Sequence, residues 1–162
     1  MEIIQFKPIG NTHSPHKELQ GMPIQPIGAK GVKGSIEVFP EYASGLMDIE
    51  GFSHLILLYY FHRITHWQPE VIPFMDTRKH GIFSTRAPAR PNPIGISIVK
   101  LINRNGNLLF IEELDILDGT PILDIKPFYG MYDNRAEYTS GWIEKLDDTI
   151  DASVVRADER FK

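Results

Sequence analysis

The apolar positions of this chain fall in short runs, spaced for strands rather than helices. Residues 3–9 alternate loosely and predict a first strand, ended by Lys7-Pro8-Ile9-Gly10. Residues 34–39 predict a second strand, with Ile36 and Val38 on one face. Residues 52–62 form a run of aromatic and branched side chains, the pattern of a buried strand. After a loop to Lys79, residues 81–85 predict a short strand. Residues 95–104 and 107–114 are two β-rich runs joined through Asn105-Gly106, a hairpin signal. On the first of these runs Ile96, Ile98 and Lys100 share one side, and Ser97, Val99 and Leu101 the other. Residues 122–126 add a further strand. Residues 11–33 read as loop, and residues 40–48 as a short helix with Pro40 in its first turn. The polar tail from Asp147 reads as a terminal helix or partly disordered chain. Six or more short strands with a few short helices predict a mainly β fold, an antiparallel barrel or sandwich. One domain over 1–162 is expected, with a core at about 5–140 and a tail at about 141–162.

Composition narrows the setting. The 12 prolines and 13 glycines keep the segments short. There is no cysteine, which excludes disulfides, thiolate nucleophiles and cysteine-based zinc sites. No apolar run reaches the ~20 residues of a membrane helix. The first residues lack the basic and apolar regions of a signal peptide, so the cytoplasm is the expected location. The net charge of −4 is unevenly spread: residues 61–104 carry a net +5 between acidic flanks. That basic middle either forms an anion-binding face or is dispersed among acidic groups on folding.

Three segments could carry chemistry. In Thr85-Arg86-Ala87-Pro88-Ala89-Arg90-Pro91-Asn92-Pro93, each proline restrains the residue before it. A stiff extended loop presenting Arg86 and Arg90 is expected, suited to a carboxylate or phosphate. The alternative is a rigid surface crossover with solvated arginines. The segment from Asp115 to Tyr129 holds an Asp118-Gly119 turn and offers Asp115, Asp118 and Asp124 as acceptors. The bland reading of that turn is one capped by its own aspartate. The third segment, residues 51–63, ends in His62-Arg63. His62 and His66 lie four apart, but the region does not read as helix and no metal site is expected. His54 in an apolar strand reads as a satisfied core histidine. Phosphate-loop, G-x-S-x-G and G-x-G-x-x-G signatures are absent, which argues against a Rossmann-type enzyme.

Taken in order, these segments resemble the TsaA-like family of S-adenosyl-L-methionine-dependent tRNA methyltransferases. The resemblance is carried by Thr85-Arg86-x-Pro88-x-Arg90-Pro91-Asn92-Pro93-Ile94-Gly95 with Ser97. It is carried also by Asp118-Gly119-Thr120-Pro121 with Asp124-Ile125-Lys126-Pro127, and by Phe52-Ser53-His54-Leu55 with Phe61-His62. Ile9-Gly10, Ser14-Pro15 and Gln25-Pro26 fit the family's N-terminal region. Ala87 departs from the serine of many members. The extra C-terminal domain of some bacterial relatives is not expected.

The resemblance implies a small non-Rossmann β-barrel that binds S-adenosyl-L-methionine and forms a homodimer. It implies methylation of the exocyclic N6 of threonylcarbamoyl-adenosine beside the tRNA anticodon. Carried over by position, cofactor contacts fall at Pro26, Ile27, Gly28, His62, Arg63, Arg86, Ile96 and the turn Asp115, Ile116, Leu117 and Asp118. Asp118, Asp124 and Lys126 are the candidate proton acceptors, and Arg90 and Lys126 the candidate RNA contacts. The competing expectation is a non-catalytic protein of the same fold, binding the cofactor as a sensor or binding RNA.

Overall fold

The computed structural model describes residues 3–146, 151 and 153–161. Its centre is a closed antiparallel barrel in the order β1-β2-β7-β6-β3-β8. These strands are β1 (Gly10–His13), β2 (Lys33–Val38), β3 (His54–Tyr60), β6 (Ile94–Asn105), β7 (Leu108–Glu112) and β8 (Pro121–Pro127). A separate two-stranded sheet pairs β4 (Glu70–Val71) with β5 (His80–Gly81). The helices are short: one α-helical turn at Gly130–Asp133 and 3-10 turns that include Pro26–Ala29 and Pro40–Leu46. The expected mainly β barrel is therefore the observed architecture.

Alternation builds the core. Leu55, Leu57 and Tyr59 of β3 point inward against Val99 and Leu101 of β6. Ile36, Val38, Leu109, Ile111 and Ile122 complete the lining, and Leu114 and Ile116 plug it from the segment after β7. Ser97, Val99 and Leu101 form the buried side of β6, while Ile96, Ile98 and Ile102 face outward. The hairpin turns on Gly106-Asn107, one residue later than expected, because Asn105 still pairs with Leu108. Gly106 has φ of +62°, a conformation for which glycine suits the turn.

Three strand expectations need correction. Residues 3–9 form no strand; the first strand is Gly10–His13, because the β8 and β2 partners lie beside it. Residues 81–85 are mainly a 3-10 turn, Ile82–Ser84, closed by the Thr85 N–H donating to the Ile82 carbonyl. The expected loop to Lys79 contains Glu70–Val71. The tail from Asp147 lies partly outside the described residues. Its described part makes a β-bridge between Arg156 and Pro23 and a 3-10 turn at Glu159–Phe161. His54 is partnered but sits on the outer face of β3, beside Ser53 and the Phe128 ring, not in the core.

The barrel register fixes where a site can form. Tyr59 lies opposite both Gly95 and Ile122, and Tyr60 opposite Ile94. The end of β3, the start of β6 and the turn before β8 thus meet at one end of the barrel.

Candidate functional site

A cavity of about 730 Å³ opens at that end. Its barrel side is lined by Tyr59, Gly95, Ile96, Asp115, Ile116 and Leu117. His62 and Arg63 follow directly from β3, and Arg86 and Arg90 enter from the proline-rich loop. A smaller pocket of about 320 Å³ adjoins it, lined by Gln25, Pro26, Ile27, Arg86, Ile96, Ser97 and Ile98. Segments far apart in sequence are therefore brought together: Pro26 and Ile27, His62 and Arg63, Arg86, Ile96, and Asp115 to Leu117. Gly28 and Asp118 stand outside both lining sets.

A buried polar chain runs into the cavity wall. The Tyr59 hydroxyl lies 3.1 Å from the Ser97 hydroxyl, which donates to Asp115 Oδ1 at 2.6 Å. Gly95 makes room for this chain, since a Cβ there would lie 2.3 Å from the Tyr59 ring. Burial pushes the Asp115 carboxyl up to about 6, against the hydrogen bond from Ser97 and the charge of Arg86. Burial, and then the charge of Asp115, also raises the Tyr59 phenol. Burial lowers the His62 imidazole, and the neighbouring Arg63 charge lowers it further. The sequence assigns Tyr59 no role and names Ser97 only as part of the proline-rich signature. The available signal was a lone serine on the Val99–Leu101 side of its strand.

The two arginines of the proline-rich loop differ. Arg86 is exposed at the cavity, with Nη1 donating to Gln25 Oε1 at 3.2 Å. Arg90 is tied inward: its Nη1 donates to the carbonyls of Ile82 and Thr85 at 3.1 and 2.9 Å, and its guanidinium lies over the Phe83 ring. Arg90 thus braces the turn from which Arg86 projects.

Asp118, Asp124 and Lys126 face elsewhere. Asp118 accepts from the Ser14 N–H at 2.8 Å and pairs with Lys17 Nζ at 2.7 Å. The Lys17 hydrogen bond, then the Ser14 amide, hold its carboxyl below the usual range. It therefore clamps the N-terminal segment and does not cap its own turn. Asp124 and Lys126 pair with one another at 2.6 Å on the outer side of β8, opposite Leu58 and Ile56. Of the basic middle, Lys100 pairs with Glu112, Arg104 with Glu50 and Arg78 with Asp76, so folding disperses part of that charge.

The far wall of the cavity comes from segments that the sequence did not mark. Trp142, Ile143, Ala157 and Asp158 all line it. The Ala157 N–H donates to the Met22 carbonyl, and the Gly21 N–H to the Ala157 carbonyl, both at 2.8 Å. Arg160 lies over the Phe74 ring and donates to the Pro73 carbonyl at 2.7 Å.

Comparison with known proteins identifies relatives of this chain. A Pyrococcus abyssi protein named probable S-adenosyl-L-methionine-binding protein is 55% identical over 143 residues, covering 88% of this chain and 78% of that one. The Escherichia coli tRNA (adenine(37)-N6)-methyltransferase is 38% identical, over 79% of this chain and 59% of that protein. A crystal structure of TrmO from Pseudomonas aeruginosa matches with a TM-score of 0.73 at 34% identity, over 86% of this chain and 62% of that one. This chain thus spans less than two thirds of the last two proteins. The family described as tRNA-methyltransferase O N-terminal domain matches residues 11–134, and the chain belongs to that family.

Proposed function

We propose that this chain is an S-adenosyl-L-methionine-dependent tRNA methyltransferase. Its substrate atom in this reading is the exocyclic N6 of threonylcarbamoyl-adenosine beside the anticodon, and its setting is the cytoplasm. One observation carries the proposal: four separated sequence segments that the family resemblance ties to the cofactor converge on one cavity.

The lining fits such a cofactor. A volume of about 730 Å³ falls within the roughly 300–1,000 Å³ of small-molecule pockets. Arg86 and Arg63 suit an amino-acid carboxylate, because guanidinium makes paired hydrogen bonds to it. Ile27 and Ile96 offer apolar walls to an adenine ring, and backbone at Pro26 and Ile116 offers polar contacts. When bound, the cofactor supplies a methyl group made electrophilic by its sulfonium. The protein's part is to position the substrate nitrogen and to receive its proton. Asp115 suits the second task better than Asp118, Asp124 or Lys126. It lines the cavity, and burial has moved its carboxyl toward neutrality, where a proton acceptor works best.

Homodimer formation belongs to the same proposal. Ile96, Ile98 and Ile102 are 47, 40 and 46% exposed on β6. Ile56 and Leu58 of β3 lie directly across from Ile98 and Ile96. This apolar outer face borders the smaller pocket, and a second copy seated on it would remove the apolar area from water. Sedimentation at micromolar concentration is expected to give a dimer; a monomer removes this part of the proposal.

A second reading, binding without transfer, is favoured by the name of the Pyrococcus protein, which states only cofactor binding. Incubation with methyl-labelled cofactor and total tRNA separates the two. Label in tRNA supports the methyltransferase. Calorimetric binding of the cofactor without label in tRNA supports the second reading. Absence of both sinks the proposal.

A further inference from the structure

We infer that Trp142 is a stacking platform for the nucleobase that the enzyme modifies; the inference rests on the tRNA-methyltransferase reading. The indole is held on two sides. Its ring stacks on the His80 imidazole with centroids 4.2 Å apart and planes 24° from parallel. Its Nε1–H donates to the Ser84 carbonyl at 2.8 Å. His80 is itself fixed, with Nε2 lying 2.8 Å from Asp76 Oδ2. That contact, followed by the Thr77 amide, holds the Asp76 carboxyl below its ordinary range. A stacking partner and an edge hydrogen bond therefore define the indole plane before any ligand arrives. Such pre-organisation lowers the entropy cost of binding.

The orientation is informative. Trp142 lines the cavity, whereas His80 does not. Trp142 thus borders the cavity with one face of its ring covered by His80. Phe83 lies on the same rim, 76% exposed, with the Arg90 guanidinium 5.7 Å from its ring centre. A fixed indole and a second aromatic at a cavity mouth suit a planar heterocycle. Enzymes that modify a base take it out of its stack, and RNA recognition relies on aromatic stacking of such splayed bases.

An adenine ring could come from the cofactor or from the RNA. The sequence position of Trp142 favours the RNA. Every residue that the family resemblance ties to the cofactor lies between 26 and 118, inside the matched region 11–134. Trp142 lies beyond it, on a wall added by the segment that follows.

The test uses the whole chain. Only two tryptophans are present, and Trp67 does not line the cavity, so Trp67→Phe leaves Trp142 as the single indole reporter. Fluorescence is followed while S-adenosylhomocysteine is added to saturation, and then total tRNA. Quenching at the tRNA step is expected. Quenching complete at the first step assigns the indole to the cofactor, and no quenching at either step leaves it a structural anchor. Both results overturn the inference. This readout needs no methyl transfer, so a failure of the enzyme reading is seen separately in the labelled-tRNA assay. In that assay Trp142→Ala is expected to raise KM for tRNA about tenfold, as loss of one base–aromatic stack implies, with unchanged cofactor affinity. Trp142→Phe keeps a stacking ring but loses the bond to Ser84, and is expected to restore most of the loss. Equal loss in the Ala and Phe variants would show that anchoring, not stacking, is the role, and would also overturn the inference.

Discussion

The two walls of the cavity are built differently. The barrel wall is set by sheet register: Tyr59 opposite Gly95, Ser97 one pleat further, and Asp115 brought in behind them. The loop wall is set by long side chains that reach backbone carbonyls. Arg90 donates to Ile82 and Thr85, Trp142 to Ser84 and Arg160 to Pro73. Register is shared by the whole sheet, so a change in the first wall is felt by the fold. The braces of the second wall are local, so a change there should be felt mainly in binding.

Substitutions at each wall can break this contrast. The largest effect is expected for Gly95→Val, which drives a side chain into the Tyr59 ring. A loss of about 3 kcal/mol in denaturant unfolding is expected, the upper part of the range for overpacking. A loss below about 1 kcal/mol would mean that the register is not the support described.

Asp115→Asn acts on the same wall with the opposite sign at neutral pH. The carboxyl is raised from 3.8 to about 6 on folding, so the folded state holds the extra proton between these values. Wild-type stability therefore falls as pH rises from 4 to 6 and is level above. Partial solvent access of the residue reduces the full linkage value, leaving about 2 kcal/mol. The Asn variant should lack this slope in melts at pH 4, 5, 6 and 7. A wild-type profile rising with pH through that window would contradict the burial argument.

Arg86→Ala tests the loop wall. Cofactor affinity is expected to fall about tenfold, or ~1.4 kcal/mol, as for loss of a partly exposed charged hydrogen bond, with unfolding unchanged. Calorimetry showing equal affinity would remove Arg86 from the site. The smallest effect is expected for Lys17→Ala. The Lys17–Asp118 pair is largely solvent-exposed and should contribute under ~1 kcal/mol to stability. A larger loss would make the N-terminal clamp part of the barrel wall.

The barrel was legible because its strands alternate or run apolar, and because the Asn-Gly pair announced the hairpin. The failures have physical causes. Residues 3–9 alternate as a strand does, but strands need partners, and the available edges are filled by Gly10–His13. Pro26, Ile27, His62, Arg63, Arg86 and Ile96 were named through a family resemblance, and the barrel brings them together. Asp124 and Lys126 belong to the same signature as Asp118, yet strand alternation turns them to the outer face. The Tyr59–Ser97–Asp115 chain joins three segments, and no local pattern encodes such a meeting. Trp142 follows a stretch without periodicity, and its place is set by contacts distant in sequence, the His80 ring and the Ser84 carbonyl.

The pairing of Met22 with Ala157 also bears on how the protein comes to be made. It closes a loop spanning most of the sequence, and closure entropy favours forming the nearer barrel contacts first. In chain order the barrel strands are complete at residue 127, ahead of the segment around residues 156–160. A chain folded only that far has the barrel wall without the clasp, so the cavity gains its second wall only when the later segment docks.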